Sequence, residues 1–168
     1  INFFSVISKI SVPEFPFDGK YLINRGFKEG KKIGKILYQA EKIWIQKNFN
    51  LSVTEFEDIV DQSVPIIMHF KNKFDRRRPF VVDMNLNILP SSTNDTPSYP
   101  SGHSTQSRLI ARYVAGKFPE HEAELIKKGN ECGYGRVQAG FHYPSDNEIG
   151  NLLGEKLYFM MNKANYEQ

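Results

Sequence analysis

Apolar side chains recur at helical spacing along most of this chain. Ile33, Ile36, Leu37, Ala40, Ile43 and Trp44 alternate with Lys, Gln and Glu and predict a helix over about 31–48. Ser52 and Glu55 stand in capping-box spacing at the head of a stripe formed by Val53, Phe56, Ile59 and Val60. Pro65 starts or kinks a following helix that carries Ile66, Ile67 and Phe70 toward Phe74. From Ser101 a further helix reaches about Phe118, with Leu109, Ile110, Tyr113 and Val114 inward. Pro119 opens another, which takes Ala123, Leu125 and Ile126 to about Val137. Ser145 and Glu148 repeat the capping-box pattern before a last helix, whose buried face is read as Ile149, Leu152, Leu153, Leu157 and Met160. No segment shows a convincing strand pattern. The expected class is all-α, a helical bundle packed around the middle of the chain.

Two stretches break the pattern. Residues 1–30, including "PEFPFDGKYLINRGFKEG", mix Pro, Gly and aromatics with no steady period, and read as loops and a short helix that form an N-terminal arm or lid. Residues 79–100, "PFVVDMNLNILPSSTNDTPSYP", form a long connection rich in Pro, Ser, Asn and Thr, and connections of that length inside a compact domain are usually functional. Phe80 and Tyr99 within it either wall a pocket or pack the loop down; packing is the reading taken.

Length and composition add bounds. The 168 residues suit one domain with a real core, 1–168. No run approaches the roughly 18 apolar residues that span a bilayer, which argues for a soluble protein and against an integral membrane one. The opening "INFFSVISKISV" is short, carries Lys9 and lacks a cleavage site, so it reads as part of the fold rather than a signal peptide. The absence of an initial Met is compatible with a leader already removed, as in secreted or periplasmic proteins. Cys132 is the only cysteine, which excludes an internal disulfide and a thiolate zinc site and leaves a small buried hydrophobe. A net charge of +3 suits an anionic ligand without demanding nucleic acid.

Three stretches hold the candidate chemistry. In "KNKFDRRRP", Lys71 and Arg78 are seven residues apart and would project from one helix face, with Pro79 ending the helix; Arg76 and Arg77 read as solvated. In "PSGH", Ser101 is a natural N-cap and Gly102 leaves its N–H open to a close ligand. Together they form an anion site at a helix N-terminus, with His103 in the first turn. In "GRVQAGFHYPSD", Tyr143 precedes Pro144 and is biased away from the α region. His142 thus lies just outside a helix that holds Asp146 in its first turn. A carboxylate there can fix the imidazole tautomer and leave the other nitrogen's lone pair to attack. Arg136 beside such a nucleophile makes sense when the electrophile is anionic. Each element alone has an ordinary reading: a solvated helix end, a plain cap, a surface His–Asp pair. Their joint occurrence in this order is what carries weight.

That order resembles the signature of the type 2 phosphatidic acid phosphatase (PAP2) superfamily, which includes soluble bacterial class A acid phosphatases, membrane lipid phosphate phosphatases and vanadium haloperoxidases. The family pattern is Lys, six residues, Arg-Pro; then Pro-Ser-Gly-His; then Ser-Arg, five residues, His, three residues, Asp. Lys71, Arg78 and Pro79 fit the first part; Pro100, Ser101, Gly102 and His103 the second; Arg136, His142 and Asp146 the third. Gly135 stands where the family has Ser. The resemblance implies a metal-independent phosphatase with a phosphohistidine intermediate. His142 would attack phosphorus, Asp146 would orient it, and His103 would protonate the leaving alcohol and then activate water. Lys71, Arg78, Arg136, the Ser101 hydroxyl and the Gly102 N–H would hold the phosphoryl oxygens. No cofactor is expected, and a His general acid near its ordinary pKa implies an acidic to neutral optimum.

Expected substrates are small phosphomonoesters or a lipid phosphate taken at a membrane surface, with the apolar N-terminal stretch as a contact. Two alternatives stand beside this reading. A vanadate-dependent haloperoxidase would use nearly the same ligands, with vanadate as cofactor; the short chain favours the phosphatase. A non-catalytic anion- or nucleic-acid-binding helical domain has only the basic run at 71–78 and the pI near 8.9 behind it, so no nucleic-acid partner is expected. Oligomeric state and compartment are not encoded.

Overall fold

The computed structural model describes residues 18–26, 35, 37, 39, 40, 42, 43, 46, 50–89, 91 and 93–166. The chain divides into two compact units, residues 1–58 and 59–168. In the first unit, α1 (Gly19–Asn24) is capped by Asp18, whose carboxylate accepts the Tyr21 N–H at 2.7 Å. Positions 35, 37, 39, 40, 42, 43 and 46 are helical, inside the predicted helix, although Ile43 is exposed rather than inward. Lys42 pairs with Glu57 at 3.0 Å, and Leu51, Val53 and Phe56 are buried. Most of the expected arm or lid, and Ile33, Ile36 and Trp44 of the predicted helix, lie outside the described residues.

The two helices expected on either side of Pro65 are one, α2 (Val53–Phe74). Its buried stripe runs without a break through Phe56, Ile59, Ser63, Ile67 and Lys71. Pro65 lies on the exposed side, where its missing N–H is least disruptive. The helix closes at Asp75, in the left-handed region at φ 41°, with its N–H on the Lys71 carbonyl at 2.9 Å. It therefore ends before Pro79, and Arg78 is not on it. Pro79 instead opens a short helix, α3 (Pro79–Val82), which starts the irregular connection.

α4 (Gly102–Lys117) begins at the Ser101 cap, a 3₁₀ turn (Pro119–His121) leads into α5 (Glu122–Gln138), and α6 (Pro144–Tyr166) closes the fold. α4 packs against both α5 and α6. Among the described residues there is no strand, and the protein is all-α as expected.

Part of the core is apolar: Ile59, Leu109 and Leu157, with Tyr113, Leu153, Tyr158 and Met161 around them. Ile67, Val114, Leu125 and Phe141 are also buried, and a seam of small residues runs between the helices. Gly129 and Gly133 of α5, and Gly150 and Gly154 of α6, face Ser101, Ser104, Thr105, Ser107 and Ala111. A Cβ at Gly150 would sit 2.7 Å from the Ser101 carbonyl oxygen, and one at Gly133 would sit 2.7 Å from Ser104 Oγ. Only glycine lets these backbones approach so closely. This seam corrects the expected face of α6. Leu152 and Met160 are exposed, whereas Asp146, Asn147, Gly150, Gly154 and Leu157 turn inward. Ile149, Leu152 and Leu153 line a separate apolar groove with Phe70, Phe74 and Tyr99.

Candidate functional site

The turn after α2 brings Arg78 back beside Lys71, although the two do not share a helix. Lys71 ends the buried stripe of α2, and its ammonium donates to the Pro97 carbonyl. Arg78 donates through Nε to the Thr96 carbonyl at 2.8 Å and through Nη1 to the Phe141 carbonyl at 3.0 Å. Both side chains are buried and both line a cavity of about 330 Å³. Gly102, His103 and His142 line the same cavity. Segments more than sixty residues apart thus meet in one concave space.

His142 is held from behind. Its Nδ1 lies 3.4 Å from Asp146 Oδ2 and 3.4 Å from Ser98 Oγ. Its Nε2 is 3.3 Å from Arg78 Nη1. The carboxylate fixes the proton on Nδ1, so Nε2 carries the lone pair beside Arg78. Asp146 is fully buried and collects four donors. Oδ2 accepts from Ser98 Oγ at 2.5 Å, from the Tyr143 N–H at 2.9 Å and from His142, while Oδ1 accepts from Arg76 Nη1 at 2.8 Å. Burial alone would raise its pKa. The hydrogen bonds from His142, Ser98 and Tyr143, together with the Arg76 charge, hold it below the usual carboxylate value.

The bond to the Tyr143 N–H also resets the expected capping box. The cap is Tyr143, and Asp146 occupies the position that reaches back, rather than Ser145 and Glu148. The same carboxylate oxygen, Asp146 Oδ2, therefore caps the helix start and meets His142 Nδ1.

Arg76 is not merely solvated, contrary to expectation. Besides Asp146 it donates to Ser145 Oγ at 2.8 Å, and its guanidinium lies 4.0 Å over the Tyr143 ring. Ser98 was also missed. It is fully buried between Pro97 and Tyr99, and its N–H donates to the Arg76 carbonyl at 2.8 Å. The only signal for it in the sequence is its place two residues before the Pro-Ser-Gly-His stretch. Phe80 and Tyr99 do pack, edge-on to Phe141 and Phe74 respectively.

Two of the predicted phosphate-binding residues, Ser101 and Arg136, sit outside the cavity wall. Ser101 is fully buried, and its hydroxyl oxygen accepts from the Ser104 N–H at 3.3 Å and the Ser104 hydroxyl at 2.8 Å. Arg136 stacks 4.1 Å over Phe141 and donates to Ser91 Oγ and Thr93 Oγ1 at 3.2 and 3.3 Å. Its Nε is buried with no hydrogen-bond partner among the described residues.

The electrostatics match a site built for an anion. Burial and the neighbouring Arg78 push Lys71 down to about 8. Burial pushes His103 down to about 4, with Arg136, His142, Arg78 and Lys71 all acting in the same direction. The ring is therefore far from the ordinary histidine value that the sequence reading assumed. Burial likewise lowers His142, with Arg78 and Lys71 adding to the effect and Asp146 opposing it. Among the described residues no cluster of His, Cys, Asp and Glu could hold a metal ion, and no helix is long and apolar enough to cross a membrane.

Comparison with known proteins points the same way. A non-specific acid phosphatase of Salmonella typhi is 37% identical over 87 residues, covering 50% of this chain and 35% of that protein. An acid phosphatase of Zymomonas mobilis is 32% identical over 104 residues, covering 60% of this chain and 36% of that protein. The chain thus spans about a third of the length of these curated relatives. The crystal structure of a transmembrane PAP2 type phosphatidylglycerolphosphate phosphatase from Bacillus subtilis shares the fold. Its TM-score is 0.53 at 18% identity, over 82% of this chain and 71% of that one. The pattern of the PAP2 superfamily itself matches residues 62–166, from α2 through α6. Since that match takes in the cavity and all the helices around it, this chain belongs to the PAP2 superfamily.

Proposed function

We propose that this chain carries a phosphatase site that hydrolyses phosphomonoesters through a phosphohistidine, with no metal ion required. The observation that carries the reading is the meeting of Lys71, Arg78, His103 and His142 in one cavity, with Asp146 on the far nitrogen of His142. Phosphoryl transfer needs positioning and charge neutralisation above all. Lys71 and Arg78 supply positive charge at the cavity, and Arg136 can add more by leaving its Ser91 and Thr93 tethers.

In the first step the Nε2 lone pair of His142 forms a bond to phosphorus as the bond to the ester oxygen breaks. The leaving alkoxide takes a proton from His103. Asp146 stabilises the positive charge that grows on the His142 ring. In the second step His103, now neutral, removes a proton from water as its oxygen attacks phosphorus, and His142 leaves.

The low pKa of His103 fits this cycle. Burial, reinforced by four cationic or titratable neighbours, keeps it neutral before an anion binds. A phosphate dianion offsets their charge, so substrate binding itself loads the acid with its proton. Expected substrates are small phosphomonoesters or the headgroup of a lipid phosphate.

The test uses a chromogenic phosphate monoester. Turnover should persist in chelator, fall with vanadate and vanish in His142→Ala. Acid-labile phosphate on His142 should be trapped by rapid quench. Near-normal rates for His142→Ala would overturn the covalent route, and halide oxidation with vanadate and peroxide would assign the site to haloperoxidase chemistry.

A further inference from the structure

The cavity is not cationic throughout. Val64, Ile67 and Met68, on one face of α2, give part of its wall an apolar lining. The connection between α3 and α4 adds Thr93, Thr96 and one carboxylate, Asp95. Asp95 is exposed, and among the described residues it forms no hydrogen bond or ion pair. It is nevertheless near enough for Arg78 to feel its charge. The bonds that hold Arg78 run instead to Thr96, Phe141 and His142. Asp95 is therefore dispensable for holding the cations, and a carboxylate cannot help to hold phosphoryl oxygens. A negative charge that lines the oxyanion cavity and holds none of its cations by a hydrogen bond is placed to act on the remainder of the ligand.

We infer that Asp95 reads the charge of the leaving group, so that the site favours monoesters whose alcohol carries a cationic substituent and disfavours those with a second anion. The inference rests on the phosphatase reading and narrows its substrate class. The apolar strip of Val64, Ile67 and Met68 accepts the carbon skeleton in either case, so the discrimination is electrostatic. Across a wet cavity, a unit charge about 7 Å away changes affinity about three- to fivefold. The sign reverses between an ammonium and a carboxylate, so the ratio between two such esters should shift about tenfold or more.

The experiment compares kcat/KM at one fixed pH for 2-aminoethyl phosphate and 2-carboxyethyl phosphate, with propyl phosphate as the uncharged reference. Wild type should prefer the aminoethyl ester over the carboxyethyl ester. Asp95→Asn should lower that ratio about tenfold, Asp95→Glu should keep most of it, and added salt should compress it in wild type. A ratio unchanged in Asp95→Asn would overturn the inference. So would equal acceleration of both esters, which would mean that Asp95 acts on the phosphoryl group itself. Calorimetric affinities of 2-aminoethylphosphonate and 2-carboxyethylphosphonate give the same ratio without chemistry. Absence of turnover with all three esters would count against the phosphatase reading, while the phosphonate ratio would still decide the role of Asp95.

Discussion

Arg76→Gln tests whether the buried carboxylate behind His142 depends on an ion pair that looks peripheral. Asp146 is fully buried, whereas the Arg76 side chain is 38% exposed, and the two meet at 2.8 Å. Breaking a fully buried pair costs about 3–5 kcal/mol. Here water screens one partner, and three other donors stay on the carboxylate, so the loss should be nearer that of one charge-assisted hydrogen bond, about 1–2 kcal/mol. For a domain of this size that is about 2–8 °C in melting temperature.

The pH dependence follows from the depressed pKa of Asp146. A carboxyl whose folded value lies below its unfolded value, about 4, stabilises the fold fully above that pH and loses the effect as pH falls through the folded value. Removing Arg76 raises the folded value. The deficit should therefore be full at about pH 5 and pH 7 and smaller near pH 3. Thermal melts at those three pH values, with kcat/KM and the Arg76→Lys variant alongside, provide the assay. Activity should fall roughly tenfold as His142 loses its orientation, with partial rescue by Lys. A wild-type melting temperature at pH 7, or a deficit that grows toward pH 3, would refute the reasoning.

Four further outcomes follow from the same geometry. Binding of sulfate, a tetrahedral dianion that does not titrate, should draw a proton onto the protein at about pH 5.5, measured by calorimetry in buffers of different ionisation enthalpy. The uptake should fall sharply in His103→Asn, and uptake that persists unchanged would exclude His103 as the loaded acid. Because Lys71 sits at about 8, kcat/KM should decline as pH rises through that value in the free enzyme, and Lys71→Arg should remove that limb of the profile if it retains activity. Gly154→Ala would drive a methyl into the Thr105 carbonyl and Arg108 Cβ, and should cost about 1–3 kcal/mol or more in denaturant titration. Gly135→Ala, where nothing lies within 4 Å, should add about 0.5–1 kcal/mol through helix propensity.

The helices were legible wherever an apolar stripe marked the buried side, as in α2 and the second half of α4. α6 was misread because its inward face is built from Asp146, Asn147, Gly150 and Gly154, which carry no hydrophobic signal. Leu152 and Met160 supplied a competing stripe that stays exposed. In the site, Lys71, Arg78, His103 and His142 were readable because their types and spacing are unusual together, and they share the cavity. Arg76, Ser98 and Thr96 were not, because their role depends on where a turn at Asp75 and an irregular connection return the chain. A reading by helical period placed Arg78 two turns above Lys71 on one helix. The left-handed residue at Asp75 breaks that register and delivers Arg78 from another direction.

The glycine seams set a tolerance as well as a packing distance. Gly150 brings α6 against the carbonyl of Ser101, at the very start of α4, so the helix carrying Asp146 and the turn before His103 are spaced by main chain against main chain. Such a spacing cannot be widened by shortening a side chain or narrowed by repacking one. On the phosphatase reading, changes that admit bulkier esters belong in residues 83–95 rather than in this helical frame, because Thr96 and Pro97 hold Arg78 and Lys71.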